Sequence, residues 1–144
     1  YQVLYITGKT YYEDFVAKTR FSSNIKVLPY LDNLAGLMRN CDLIVTRAGA
    51  STMSEILALN LPAIFIPSPY VAGNHQYYNA LEIVKNNAGL MIKEEDLKGE
   101  ELFKMVTEIL NDKQRYEIMK MNLKNMGKND SSDIIVSEIK ELVK

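Results

Sequence analysis

Thr46-Arg47-Ala48-Gly49-Ala50-Ser51-Thr52-Met53-Ser54-Glu55 follows directly on the apolar run Leu43-Ile44-Val45. An apolar run that stops at a glycine turn and restarts as a helix leaves backbone N–H groups where an anion can sit. Arg47 adds fixed positive charge beside that turn, and Glu55 adds a carboxylate about one helical turn further in. Phosphate donors close to an acceptor for paired hydroxyls suit a nucleotide or nucleotide sugar better than a bare phosphate. A second polar group, Asn74, His75, Gln76 and Asn79, offers many donors on roughly one helix face, since positions three and four apart are neighbours.

Each of these residues also has a plainer reading. Thr52-x-x-Glu55 fits a capping box, in which Glu55 only satisfies a backbone N–H at its own helix start. Gly49 fits a tight strand–helix turn, Arg47 a surface charge, and Asn74 a simple N-cap. A lone surface histidine such as His75 more often does nothing. Tyr77 and Tyr78 read as packing rather than base stacking. Cys41 reads as a buried small apolar residue, and residues 113–128 as an amphipathic helix in which lysines alternate with Met119, Met121, Leu123 and Met126.

The elements that must position these groups alternate. Strands are predicted at residues 2–6, 25–30, 43–46, 63–66 and 89–92. Helices are predicted at 11–20, at Leu34, Leu37 and Met38 after a cap by Asp32 or Asn33, at 51–59, and from Asn74 or His75 through Val84. From Leu97 the pattern is helical in three pieces, broken near Asn111-Asp112 and 127–130. Such alternation implies an α/β fold, a Rossmann-like parallel sheet of about five strands with helices on both faces and a helical C-terminus. Ligands then bind beyond the carboxyl ends of the strands, which directs the search to the loops at 7–10, 30–33, 47–51, 67–75 and 93–96. The unusual polar residues cluster in the second to fourth of these.

Composition bounds the function classes. The chain has 144 residues, 47% of them apolar and 24% charged, as expected of one globular domain. A formal net charge of −1 carries no field that would favour nucleic acid. One cysteine and one histidine exclude an internal disulfide and leave no metal-ligand spacing. No apolar run approaches the roughly 20 residues of a spanning helix, and no signal peptide opens the chain, so a cytoplasmic setting is expected. The start at Tyr1, almost inside a strand, reads as a piece of something longer.

Three motifs in order, Arg47 through Ile56, Leu61-Pro-Ala-Ile-Phe-Ile-Pro67 and Asn74-His-Gln-Tyr-Tyr-Asn-Ala80, closely resemble the MurG family of N-acetylglucosaminyltransferases, in glycosyltransferase family 28. These enzymes complete the lipid-linked peptidoglycan precursor. The resemblance runs from the first strand to the last helix and implies the C-terminal, UDP-N-acetylglucosamine-binding half of a two-domain GT-B transferase. It implies that backbone around Tyr30 and Leu31 faces the uracil. Arg47 with Gly49, Ala50, Ser51 and Thr52 would hold the diphosphate, Glu55 the ribose, and His75, Gln76 and Asn79 the N-acetylglucosamine. A carboxylate accepts from two adjacent hydroxyls at once, and amides donate and accept together, as ribose and sugar require.

The resemblance also implies what else the intact protein needs. No metal or cofactor is implied, and no catalytic residue falls within residues 1–144, a single nucleotide-sugar-binding domain. The family's acceptor site for lipid-linked muramoyl-pentapeptide lies in an N-terminal domain, and the whole enzyme is expected to be peripheral on the cytoplasmic face of the membrane. By itself this domain is expected to be inactive. The family's first C-terminal strand, with its Gly-Gly-Ser-type loop, has no match here. Closure of the sheet by pairing of residues 2–6 with 43–46, in the order 2-1-3-4-5, is therefore expected. Two alternatives stand beside this reading: a stand-alone donor-binding subunit of a split glycosyltransferase, and a non-catalytic Rossmann-like interaction domain.

Overall fold

A computed structural model describes residues 1–127 and 131–143. The chain divides into two compact units, Tyr1–Leu37 and Met38–Lys144. In the first, β1 (Val3–Ile6) and β2 (Ile25–Leu28) pair in parallel with Val3 opposite Ile25 and Ile6 opposite Leu28. The helix α1 (Tyr12–Lys18) crosses between them. It is held by a row of aromatic rings, with Phe15 4.9 Å from Tyr5 and 5.5 Å from Phe21 between centroids. Pro29 follows β2 and has no N–H to continue a ladder. Asn33, not Asp32, caps α2 (Leu34–Met38): its Oδ1 accepts from the Gly36 N–H at 2.8 Å.

In the second unit, β3 (Ile44–Thr46), β4 (Ala63–Phe65) and β5 (Leu90–Met91) form a parallel sheet with β4 in the middle. Ala63, Ile64 and Phe65 are fully buried, as a parallel strand covered on both faces requires. Between the strands run α3 (Ala50–Leu59) and α4 (His75–Lys85). Gly89 is required by close approach, since a Cβ there would stand 2.8 Å from Ile83 Cγ2 and 3.1 Å from the Ala63 carbonyl. The helical C-terminus consists of α5 (Gly99–Asn111), α6 (Lys113–Met126) and α7 (Ser131–Leu142).

Ile64, Ile92, Ile109 and Met119 form a buried cluster that ties β4 to α5 and α6. The break between these two helices falls at Asp112, whose Oδ1 accepts from the Arg115 N–H at 2.9 Å. Met119 and Leu123 carry the buried face of α6, while Met121 is exposed. Of the break expected near 127–130, residues 128–130 lie outside the described residues.

Two expectations about the fold are corrected. No ladder joins β1 to β3: among the described residues the strands form a pair and a trio rather than one sheet ordered 2-1-3-4-5. Val3, Tyr5 and Val45 are each at least 40% exposed, so neither strand has the two covered faces of an interior parallel strand. Cys41 is half-buried rather than buried. Its thiol is pushed up from the usual range by burial first and the Asp42 charge second.

Candidate functional site

The second unit carries its polar loops at the carboxyl ends of its strands. The loop after β3 contains Arg47, Ala48 and Gly49, and Gly49 is the N-cap of α3. Its backbone is extended, φ −70° and ψ 149°, which any residue can adopt. Nothing lies within 4 Å of where a Cβ on Gly49 would stand. The turn therefore does not demand glycine for its own geometry. What glycine supplies is open space in front of the first helical N–H groups.

Because α3 starts at Ala50, Thr52 lies inside the helix and cannot serve as its N-cap. The capping-box reading of Thr52 and Glu55 fails on that register: a box needs Thr at the cap and Glu three residues on. Glu55 is half-buried, and no hydrogen bond or ion pair to its carboxylate is found among the described residues. α3 thus carries a half-buried carboxylate with no structural partner among the described residues. Ser51 is exposed and Thr52 half-buried on the same first turns.

Arg47 is not a free surface charge. Its Nη1 donates to the Ile66 carbonyl at 3.0 Å and forms an ion pair with Glu94 Oε2. The carboxylate oxygen in that pair is itself buried. Glu94 belongs to a 3₁₀ turn, Glu94–Asp96, just past β5. This loop is among those at the strand ends, but Glu94 belongs to none of the three motifs. The signal was an acidic run, Glu94-Glu95-Asp96, directly after a buried strand.

At the start of α4, a 3₁₀ turn (Ala72–Asn74) leads into the helix through two left-handed residues, Gly73 at φ 61° and Asn74 at φ 52°. Asn74 occupies the N-cap position, yet its side chain caps nothing. His75 is exposed, with Nδ1 2.9 Å from the Ala72 carbonyl. A carbonyl only accepts, so in the neutral ring Nδ1 carries the proton and Nε2 remains an acceptor. Gln76 Oε1 accepts from the Ser68 N–H at 2.9 Å, and Asn79 Nδ2 donates to the Ala48 carbonyl at 3.0 Å. One helix turn thus grips the loop after β4 and the loop after β3, and among the described residues Gln76 Nε2 and Asn79 Oδ1 have no partner.

Tyr77 is half-buried and lines a cleft of about 250 Å³ with Pro67, Pro69, Asn74, Lys93 and Glu94. Tyr78 meets Tyr77 edge-on at 5.6 Å and is 62% exposed, so the packing role holds for Tyr77 only.

The structure therefore brings Arg47, Gly49, Ala50, Ser51, Thr52, Glu55, His75, Gln76 and Asn79 into one unit, on two helix starts linked by the Asn79–Ala48 bond. Tyr30 and Leu31 belong to the first unit, in the loop after β2. There Tyr30 is exposed under the Lys9 ammonium, 4.8 Å from its ring centroid, and Leu31 is half-buried. Among the described residues no group of three His, Cys, Asp or Glu is placed to hold a metal ion.

Parallel strands, helices between them and polar loops at the strand ends define a Rossmann-like α/β fold. The sequence profile described as the glycosyltransferase family 28 C-terminal domain matches residues 1–135, and the chain belongs to that family. It is 39% identical over 147 residues to the UDP-N-acetylglucosamine–N-acetylmuramyl-(pentapeptide) pyrophosphoryl-undecaprenol N-acetylglucosamine transferase of Listeria monocytogenes, covering 100% of this chain and 40% of that protein. The transferase of the same name from Bacillus licheniformis is 39% identical over 145 residues, covering 99% of this chain and again 40% of the relative. The chain thus spans 40% of the length of the relatives it matches. In fold it matches the crystal structure of Acinetobacter baumannii MurG with a TM-score of 0.84 at 24% identity, over 97% of this chain and 41% of that one.

Proposed function

We propose that this chain binds UDP-N-acetylglucosamine as the donor half of a hexosyltransferase, and that the whole protein transfers N-acetylglucosamine to a lipid-linked muramoyl-pentapeptide in peptidoglycan synthesis. The observation that carries the reading is Glu55: a half-buried carboxylate with no partner among the described residues, on the helix that opens at Gly49. A carboxylate accepts from two adjacent hydroxyls at once, as a ribose offers. The names borne by the 39%-identical relatives supply the donor and the acceptor class.

In this reading the first N–H groups of α3, at Ala50, Ser51 and Thr52, and the Arg47 guanidinium hold the diphosphate. They stabilise the negative charge that grows on UDP as it leaves. Gln76 Nε2, Asn79 Oδ1 and His75 Nε2 are the groups left over for sugar hydroxyls. The isolated domain binds donor and does not catalyse, because the acceptor is held elsewhere in the full protein. A lipid-linked acceptor requires the intact enzyme to work at a membrane surface, on its cytoplasmic face where UDP-sugars are available. No helix among the described residues is long and apolar enough to cross a membrane.

Calorimetric or NMR titration of the chain with UDP, ADP and GDP tests the reading. Preference for UDP is expected. Equal affinity for all three, or no binding, overturns the uracil assignment.

A further inference from the structure

Arg47 stands at the end of β3, yet both groups that hold it come from elsewhere: the Ile66 carbonyl just past β4 and the Glu94 carboxylate just past β5. Both contacts fall on Nη1, so among the described residues the Nε and Nη2 donors of the fork remain unspent. The neighbouring Lys93 pairs with Glu95 at 3.5 Å, which leaves Arg47 as the cation that Glu94 faces among the described residues. The side chains are 50% and 31% exposed, and pairs this open contribute little to folding stability. What the pair does contribute is orientation. A long, flexible guanidinium side chain is pinned at one nitrogen by two acceptors from two loops, so less rotamer freedom is lost when an anion arrives.

We propose that Glu94 is a positioning residue for Arg47, anchoring one guanidinium nitrogen so that the rest of the fork is presented to the diphosphate of the donor. The inference rests on the nucleotide reading above and adds to it a residue outside all three motifs. Its sign is not obvious from charge alone: a nearby carboxylate also lowers the positive potential felt by phosphate. Positioning and neutralisation therefore predict opposite effects of removing it.

The test compares UDP and uridine binding to the full chain and to Glu94→Gln, Glu94→Ala, Arg47→Ala and Arg47→Ala/Glu94→Ala, with melting temperature recorded for each. Positioning predicts that Glu94→Ala weakens UDP roughly three- to fivefold and leaves uridine unchanged. Glu94→Gln, which keeps a neutral acceptor, should lose less. In the Arg47→Ala background, removing Glu94 should have no further effect. Tighter or unchanged UDP binding in Glu94→Ala overturns the proposal, as does equal loss for UDP and uridine, or a loss that persists without Arg47. The anchoring is also readable without ligand, from the ¹⁵N–¹H signals of the Arg47 guanidinium. These should show hindered rotation in the wild type and averaging in Glu94→Ala; averaging in both overturns positioning even if UDP binds. Conversely, hindered signals with no UDP binding leave the anchor standing and remove the nucleotide reading.

Discussion

Asn79 Nδ2 donates to the Ala48 carbonyl at 3.0 Å, so the first turns of α4 hold the loop in front of α3 in place. Ala48 is fully buried, and its carbonyl would otherwise face the interior beside a helix start that must keep its own N–H groups open. A residue proposed to touch the sugar thus also shapes the turn before the proposed diphosphate site. Gln76 differs in the loop it holds, accepting from the Ser68 N–H after β4.

Asn79→Ala should destabilise the fold by about 1–3 kcal/mol, the cost of a buried backbone acceptor left unpaired. Asn79→Asp should be worse, because it turns a second acceptor toward that carbonyl. Urea denaturation of both variants checks the order. An Asp variant as stable as wild type would mean that the bond does not hold the turn.

Glu55→Ala should leave stability within about 0.5 kcal/mol, since the carboxylate has no partner among the described residues and caps no helix. UDP affinity should fall by the roughly 1.5–3 kcal/mol of a hydrogen bond to a charged group. Parallel melting and calorimetry measure the two quantities on one variant. A lower melting temperature with unchanged affinity would restore a purely structural role.

Gly49→Ala separates fold from ligand at one atom. The extended backbone and the open space around the absent Cβ allow the methyl group without strain. Changing Gly to Ala at an N-cap costs about 1 kcal/mol at most, so the variant should fold. UDP binding should nevertheless weaken by an order of magnitude or so, as expected if the methyl group stands where a phosphate oxygen approaches the α3 N–H groups. Titration of the folded variant with UDP decides it, and undiminished affinity would move the phosphate away from this turn.

Tyr116 links α6 to the loop before β3 through its hydroxyl, which donates to the Asp42 carbonyl at 2.9 Å. Burial first, then the charges of Asp42 and Glu117, raise its phenol above the ordinary value of 10.0. A pKa raised in the folded state means that stabilisation is fully present below the unfolded pKa and is lost as pH climbs through the folded one. Tyr116→Phe should cost about 0.5–1.5 kcal/mol at neutral pH. The gap between variant and wild type should narrow as pH rises past 10. Urea midpoints at neutral and alkaline pH measure both.

Much of this protein is local enough to be legible along the chain. The alternation of short β-branched runs with apolar residues at helical spacing specified all five strands and the helices between them. Period and turn chemistry depend only on near neighbours. The glycine turn, Arg47, Glu55 and the amide-rich helix start stood out for the same reason, as did the break at Asp112.

Partners were another matter. Whether Glu55 capped its helix depended on a register shift of α3 that propensity does not resolve, because Gly and Thr both serve at N-caps. That Arg47 meets Glu94, that Gln76 holds Ser68, and that Asn79 holds Ala48 across 31 positions depended on which strand lies beside which. Strand pairing was decided in space as well: backbone hydrogen-bonding groups are the same at every residue, so nothing in the run at β1 chose β2 alone over a sheet continuing to β3. The sequence by itself determined which chemical groups stand at the strand ends. Only the tertiary structure decided which of them are already occupied by one another and which remain open to a ligand, since a hydrogen bond depends on distance and direction rather than on order along the chain.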